Sequence, residues 1–198
     1  MAEGYGTLAA LKERLGLPVN DESRDSALDG AMAAASQSID RATGRTFGLT
    51  PEPVSRTYNP RGRVVYRDDG DLLLVNDIGS ITGLVVETGS GFSFSAVTGF
   101  ETAPDNALLD DQPITGLLLF HGSWGYGTGR VRVTARFGWP SVPGDIAEAA
   151  LIQAARLYRR KDSPEGVTGS AEWGVVRLSR RDPDVWNLIE PYVLPGFG

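Results

Sequence analysis

Apolar side chains recur every three to four positions at both ends of the chain, which predicts helices there. Thr7 is a suitable N-cap for a short first helix that Gly16 ends. A second helix is predicted from about Glu22 to Thr43, with Gly44 just past its end. At about 33 Å this second helix is long enough to pair lengthwise with another.

The segment from Val142 to Lys161 predicts a helix with two packing faces. Pro143 and Asp145 are typical of a helix start, and the basic residues 159–161 are typical of a helix end. One face contains Ile146, Ala150, Gln153 and Leu157, and the other contains Ala147, Leu151, Ala154 and Tyr158. We interpret one face as packing within the molecule and the other as a contact with another subunit. A last short helix is predicted after Asp182 and Pro183.

Between the helical segments the pattern changes to alternation, which is typical of strands. The predicted strands span residues 63–67, 72–75, 81–88, 92–95, 116–120 and 130–137. Glycine- and aspartate-rich turns between them favour an antiparallel sheet or small sandwich. The predicted fold class is therefore α+β. A discontinuous helical core formed by both chain ends (1–53 and 138–198) would carry an antiparallel β-rich insertion (54–137).

Composition narrows the class of protein. The chain has 198 residues, of which 41% are hydrophobic and 22% charged, and no apolar run approaches the roughly 20 residues of a membrane span. The absence of cysteine excludes disulfides, thiolate metal sites and thiol nucleophiles. No secretory signal is recognisable at the N-terminus, so we expect synthesis in the cytoplasm. Residues 1–150 carry 12 basic and 19 acidic side chains, a net charge of −7, and residues 151–198 carry 7 and 6, a net charge of +1. This balance disfavours tight, sequence-independent binding to nucleic acid.

Candidate catalytic and metal-binding groups are sparse. His121 is the only histidine, and Ser123 beside it lacks a third, orienting group. The acidic run 68–71 is better explained as a hairpin turn than as a calcium loop, because position 79 is glycine. Asp110 and Asp111 precede a proline in a plausible turn, and the glycines from 125 to 129 lead into a strand. We therefore predict no enzyme activity, no cofactor and no metal.

Two arginine groups allow more than one interpretation. Arg130, Arg132 and Arg136 share one face of a predicted strand, where we favour carboxylates of a neighbouring subunit over DNA phosphates as their partners. The basic residues of 156–161 and 177–181 fit either a solvated helix end or a contact with an acidic partner, and the sequence does not separate the two.

Several segments resemble one family when they are read in order. They are Tyr5–Leu17, Ala33–Phe47, Val142–Leu151, Ala154–Gly166, Trp173–Val185 and Pro191–Tyr192. Together they cover 66 residues, one third of the chain, and are similar to the head-to-tail connector (adaptor) proteins of long-tailed bacteriophages. Residues 54–136 resemble that family only in being β-rich.

The resemblance implies a structural virion protein made in the host cytoplasm and located in the neck, between capsid and tail. It implies a homo-oligomeric ring, usually of twelve copies, beneath the portal protein. Such a ring would lengthen the channel for double-stranded DNA, without sequence-specific binding, and would dock a neck, stopper or tail-completion protein. No membrane is involved.

On this interpretation residues can be given roles. The predicted subunit-interface residues are Ala31, Ala35, Ile39, Arg130, Arg132, Arg136, Ala147, Leu151, Ala154, Tyr158, Trp173 and Arg177. The predicted portal-docking residues are Leu194, Pro195 and Phe197. Two alternatives remain at this stage. One is a DNA-binding accessory protein that uses the Arg130 strand and the basic helix end. The other is a hydrolase with a site around His121, between insertion and core.

Overall fold

The computed structural model is α+β and divides into two compact units. Unit 1 comprises Met1–Arg45 and Val142–Gly198, and unit 2 comprises Thr46–Ser141. The residues that the structure describes are 4–125, 129–160, 167–168, 176–177 and 182–194.

Unit 1 is helical over most of its described length. Its helices are α1 (Leu8–Leu15), α2 (Asp25–Thr43), α3 (Gly144–Arg160) and α4 (Pro183–Ile189), and a 3-10 turn, Glu190–Tyr192, follows α4. Two two-residue strands, β8 (Val167–Thr168) and β9 (Val176–Arg177), pair antiparallel.

The ends of the first two helices follow local chemistry. The Thr7 hydroxyl accepts a hydrogen bond from the Ala10 amide at 3.2 Å, which satisfies one of the free donors at the start of α1. Gly16 and Gly44 end α1 and α2 with φ of +69° and +70°, a conformation that suits glycine. The three predicted caps are confirmed. α2 begins at Asp25, three residues after the predicted start at about Glu22, because the Asp21 carboxylate accepts from the Ser23 amide and holds a turn there.

The core of unit 1 lies where α2 packs against α3, with α1 and α4 also in contact with α3. Its apolar members are buried. They are Tyr5, Leu11, Leu28, Met32, Ala35, Ile39, Ile146, Ala149, Ala150, Ala154, Ala155, Tyr158, Val185 and Ile189. Alanine at so many of these positions lets the helix backbones approach closely.

Unit 2 is built on a seven-stranded antiparallel sheet. The strands are β1 (Val54–Tyr58), β2 (Val64–Arg67), β3 (Gly70–Ser90), β4 (Ser93–Ala96), β5 (Phe100–Ala103), β6 (Ile114–Phe120) and β7 (Arg130–Phe137). A 3-10 turn, Ala107–Asp110, lies between β5 and β6. The sheet order is β1-β7-β3-β6-β5, and β2 and β4 each pair with β3.

The 21-residue strand β3 takes part in two half-sheets. Its first part pairs with β2 and β6, which gives the order β2-β3-β6-β5 and defines the first half-sheet. Its last part pairs with β7 and β4, which gives the order β1-β7-β3-β4 and defines the second half-sheet. The register shifts between Leu74 and Ile78 and again between Ser80 and Val85, and Gly83 has φ of +74°. The prediction of two separate strands in 72–88 is therefore wrong, and β1 and β5 were not predicted.

One apolar cluster fills unit 2. It consists of Tyr58, Leu73, Val75, Ile78, Val86, Ala107, Ile114, Leu117, Trp124, Val131, Val133, Ala135 and Phe137. Trp124 follows β6, and its indole N–H donates to the Asp71 carbonyl at 2.8 Å and to the Leu117 carbonyl at 3.1 Å. Its ring also lies 6.5 Å from that of Phe100. Trp124 thus contacts β3, β6 and β5 together.

Candidate subunit-contact surfaces

Helix α3 has no solvent-exposed residue between Ile146 and Tyr158, as its two-face pattern predicted. Other helices of the same chain cover part of the α3 surface. Glu148 accepts from Arg14 of α1 at 2.5 Å, and Arg156 pairs with Asp182, the N-cap of α4, at 2.9 Å. The remaining flanks of α3 are half-buried.

The predicted contact residues on α3 fall into two groups. Ala154 and Tyr158 are buried inside unit 1, whereas Ala147 and Leu151 are half-buried. Leu151 lies against the N-terminal segment, where a Cβ at Gly6 would come within 2.9 Å of it. The prediction that these residues contact a neighbouring subunit stays a prediction, and only Ala147 and Leu151 present surface for it.

The predicted residues of α2 point mostly inward. Ala35 and Ile39 are buried, and Ala31 is half-buried. Exposed residues recur at the same spacing of three or four positions along an adjacent face of α2. We call Ala27, Gly30, Ala34, Gln37 and Arg41 the α2 outer face. Sequence analysis missed it, because alanine and glycine fit both a core stripe and an exposed one.

Ala27, Gly30 and Ala34 make the first half of the α2 outer face shallow, whereas Gln37 and Arg41 cover its second half. A Cβ built on Gly30 would meet no atom within 4 Å, so the helix backbone is open to approach here. A second helix can come closer to such a face than to one covered by long side chains.

The end of the described chain is anchored to unit 1. The Leu194 amide donates to the Thr43 carbonyl at 2.8 Å, and the Arg45 guanidinium donates to the Tyr192 carbonyl at 2.9 Å. The Leu194 side chain remains 40% exposed. Of the other residues predicted for portal or subunit contact, Pro195, Phe197 and Trp173 lie outside the described residues. Arg177 is placed by its backbone, in β9.

A small cleft of about 120 Å³ opens in unit 1 between α2, α3 and α4. Its lining is mostly apolar, with Ile39, Val185 and Trp186 among the members. Asp182, its one carboxylate, is already paired with Arg156. The cleft therefore offers packing surface and no convergent set of reactive groups.

The arginines of β7 lie on one face of the strand, as predicted, opposite the buried Val131, Val133, Ala135 and Phe137. Arg132 donates two hydrogen bonds to Glu87, at 2.7 and 2.8 Å, and its guanidinium lies 4.2 Å from the centre of the Phe94 ring. These hydrogen bonds hold the pKa of the Glu87 carboxyl below its ordinary value. Arg136 donates to the Thr50 carbonyl at 2.8 Å, and Arg130 to the Gly129 carbonyl at 2.9 Å. All three arginines therefore have acceptors within their own chain.

One carboxylate, Asp40, and one phenol hydroxyl, Tyr192, have shifted pKa values in unit 1. Burial raises the pKa of Asp40, although the hydrogen bond that Tyr5 donates to it acts in the opposite direction. Burial also raises the pKa of the Tyr192 hydroxyl, with the charge of Asp145 and a hydrogen bond to it as further causes. Both contacts tie a terminal segment to a helix of the same unit.

The candidate reactive residues stay apart. His121 and Ser123 are exposed in the loop after β6, and the Ser123 hydroxyl accepts from the Gly125 amide. Asp68 and Asp69 form the β2–β3 turn, and Asp110 ends the 3-10 turn. Within the described ranges, no three His, Asp or Glu side chains converge as metal ligands. No helix in the same ranges is both long and apolar enough to cross a membrane.

Comparison with known proteins identifies the fold. No protein-family model and no curated protein matches the chain. Among solved structures, the chain is similar to a chain in the "Neck of empty GTA particle computed with C6 symmetry", with a TM-score of 0.61 and 19% identity over 100% of this chain and 95% of that one. It is also similar to a chain in the "Virion of native gene transfer agent (GTA) particle", with a TM-score of 0.56 and 17% identity over 100% and 95%. At these identities the likeness is one of fold.

Proposed function

We propose that this protein is a structural component of the neck of a phage-like particle. In this proposal it is an adaptor that forms a homo-oligomeric ring under the portal and extends the DNA channel. The ring also carries the next neck or tail-completion protein. The observation that carries the proposal is the fold likeness to a neck chain over 100% of this chain and 95% of that one. A likeness confined to one unit would be weaker support, because folds are reused for many functions.

The surfaces of the chain suit a ring. A head-to-tail ring needs two different complementary surfaces on each subunit. The α2 outer face offers one close-packing surface in unit 1, and the half-buried Ala147 and Leu151 extend the candidate contact area on α3. Twelve copies, the number that the resemblance suggests, remain part of the proposal.

The electrostatics favour a DNA channel over a DNA-binding surface. The net charge is −6, and the β7 arginines are hydrogen-bonded within their own chain. A protein that binds duplex DNA tightly needs free cationic side chains to displace counterions. A wall that attracts phosphates weakly lets the duplex slide past.

The end of the chain is the proposed contact with the portal. Leu194 is anchored through its amide and half exposes its side chain, so the residues that follow start from a fixed point on unit 1. Leu194, Pro195 and Phe197 would supply apolar contacts there.

The test of the ring compares two tryptophan substitutions on exposed helix positions. Ala34→Trp places a bulky side chain on the α2 outer face, and Ala9→Trp does the same on α1 as the matched control. Assembly is measured by mass photometry of the purified chain, alone and with portal protein. We expect rings from wild type and Ala9→Trp, and loss of rings from Ala34→Trp with its thermal stability retained. A wild-type chain that stays monomeric under both conditions and is missing from particle necks would contradict the proposal.

The portal contact has a separate test. Deleting residues 195–198 is expected to abolish binding to the portal and attachment of tails while leaving the anchor of Leu194 in place. Tails that still join normally would remove the docking role from this segment without affecting the ring.

A further inference from the structure

The second half-sheet of unit 2 ends in the edge strands β1 and β4. Among the described residues, no strand pairs with the outer side of either. The Val97 amide donates to the Val86 carbonyl at 2.9 Å, so residues 97 and 86 are a hydrogen-bonded pair that continues the β3–β4 ladder. Hydrogen-bonded pairs alternate along an antiparallel ladder. The backbone amides and carbonyls of Phe94 and Ala96 therefore point away from β3, along the outer edge of β4.

The same alternation gives the outer backbone groups of β1. Because Val86 bonds to β4, its two neighbours in β3 form the hydrogen-bonded pairs with β7. The residues of β7 that lie between those pairs bond to β1 instead, and residues 54, 56 and 58 lie opposite them. The backbone amides and carbonyls of Ser55 and Thr57 therefore point outward from β1.

Strand β4 lacks the features that normally protect a sheet edge. Residues 88–100 contain no charged side chain and no proline. The charged pair beside β4, Glu87 and Arg132, is hydrogen-bonded within its own chain, and the Arg132 guanidinium lies over the Phe94 ring. By contrast, the edge strand β2 leads into exposed acidic residues at 68 and 69, and β5 contains Glu101. An uncharged edge is a template for another strand, so we expect a strand to cover β4.

Strand β1 is open in its middle and closed at its start. Its one charged residue is Arg56, whose guanidinium lies 4.1 Å from the centre of the Phe137 ring of the same chain. Pro53 has no amide and ends any further pairing just before β1. Ser55 and Thr57 between them are exposed and uncharged. The β1 edge therefore suits a short, uncharged partner strand, which is what β4 offers.

The strand directions suit a contact between copies. Successive strands of the second half-sheet are antiparallel, so β1 and β4 run in opposite senses. Neighbouring copies in a ring are related by a rotation, which preserves the sense of a strand that runs along the ring axis. The β4 of one copy would then meet the β1 of the next as an antiparallel pair.

The outward residues of the two edges also match in register. Pairing them places Phe94 opposite Thr57 and Ala96 opposite Ser55. In this register Val97 comes opposite Val54, whose side chain is 41% exposed. Five residues of each strand are then paired, and the ladder ends at the proline before β1.

The faces of the two sheets agree in this register. The hydroxyls of Ser55 and Thr134 are hydrogen-bonded at 2.7 Å, so Ser55 lies on the face opposite the apolar core of unit 2. Ala96 is opposite Glu87, which bonds to Arg132 on that same face. The residues that would meet therefore share a face, and the core face of one copy continues into the next. A slip of one residue would exchange the faces.

We propose that β4 of one copy pairs with β1 of the next, so that the second half-sheets join into one continuous sheet around the ring. The outward backbone groups of Phe94 and Ala96 bond to those of Thr57 and Ser55. This inference rests on the proposed ring and identifies a second copy of the same chain as the partner of unit 2.

Backbone pairing is tested at Ala96. Ala96→Pro removes an outward amide and leaves the bonds to β3 in place, and Ala96→Ser is the matched control that keeps the amide. Mass photometry gives the concentration at half-assembly, and thermal unfolding checks that each variant folds. We expect this concentration to rise at least about tenfold for Ala96→Pro and to stay within about threefold of wild type for Ala96→Ser. Equal assembly of the two variants would exclude strand pairing at this edge.

A charge pair tests the register. Ser55→Glu with Ala96→Glu places like charges opposite each other, whereas Ser55→Glu with Ala96→Lys places opposite charges there. Both double variants lose the Ser55 hydroxyl, so they differ only in the sign of one charge. We expect the Glu–Lys variant to assemble at a concentration at least about threefold lower than the Glu–Glu variant. Identical values would contradict this register.

Cysteine cross-linking shows which edges meet. The chain has no cysteine, so Ser55→Cys with Ala96→Cys introduces the only thiols. Within one copy these positions lie three strands apart, about 14 Å, which is too far for a disulfide. Under oxidation we expect dimers, trimers and larger products from the double variant and only monomers from each single variant. Dimers from a single variant would show like edges meeting around a twofold axis, which overturns the proposal.

The failures of the two proposals can be told apart. Wild-type rings that neither cross-link nor respond to Ala96→Pro would overturn the continuous sheet and leave the ring standing. An Ala96→Pro variant that forms normal rings but no longer binds the next neck protein would assign the β4 edge to that protein instead. A wild-type chain that never assembles, with or without portal protein, would overturn both.

Discussion

The indole of Trp124 is expected to hold the first half-sheet together. The side chain is 2% exposed, and its N–H bridges the carbonyls of Asp71 and Leu117 on neighbouring strands. Trp124→Phe keeps an aromatic ring but deletes this donor. Both carbonyls also accept in the β3–β6 ladder, so the substitution removes one additional hydrogen bond, which costs about 0.5–1.5 kcal/mol. The smaller ring leaves a void that costs roughly 1 kcal/mol more.

The expected loss is therefore about 1.5–2.5 kcal/mol, a substantial share of the roughly 5–15 kcal/mol that stabilises a typical domain. Urea unfolding followed by far-UV circular dichroism measures it, since with four tryptophans in the chain the removal of one alters the fluorescence signal itself. Phe92→Ala is the control, because Phe92 is fully exposed at the β3–β4 turn and its loss is expected to change stability by less than about 0.5 kcal/mol. A Trp124→Phe variant as stable as this control would refute the reasoning.

Three further predictions concern unit 1. Because the pKa of Asp40 is raised, the folded chain binds this proton more tightly than the unfolded chain does, so stability falls as pH rises above 3.8. Asp40→Asn removes this pH dependence, so its melting temperature relative to that of wild type is expected to rise between pH 3 and pH 7. A difference in melting temperature that stays constant over this range would contradict the prediction. Gly16→Ala places a Cβ at φ of +69° with no new contact, and urea titration is expected to show a loss of about 1 kcal/mol. Lys12 is 3% exposed, and its ammonium lies 2.6 Å from the Asp25 carboxylate. Lys12→Met removes this charge and is expected to lower the free energy of unfolding by about 1–3 kcal/mol. Lys12→Arg keeps the charge and is expected to lower it less.

Much of unit 1 could be predicted from sequence because its signals are local. Thr7, Gly16 and Gly44 each act through one hydrogen bond or one backbone angle, and each stands where expected. The burial of Lys12 could not be predicted. It depends on the carbonyl of Val19 and the carboxylate of Asp25, which only the folded α1–α2 corner brings together.

Unit 2 was less predictable because its signals are not local. Strand β3 passes through a stretch of glycine and serine between Ile78 and Gly83 that does not alternate, so it reads as two strands and a turn. β1 and β5 are short edge strands held by one neighbour each, and their sequences lack a continuous apolar run. The candidate contact surfaces were hardest, because small residues mark a buried helix stripe and an exposed one equally well, as Ala34 and Ala35 illustrate.

The single long strand β3 has a consequence for how unit 2 opens. Strands β6 and β7 are both hydrogen-bonded to β3. Loss of the backbone hydrogen bonds in one half-sheet therefore also releases β3 from the other. Amide protons of β6 and β7 should then exchange with deuterium at a common rate, as members of one cooperative opening, despite lying in different half-sheets.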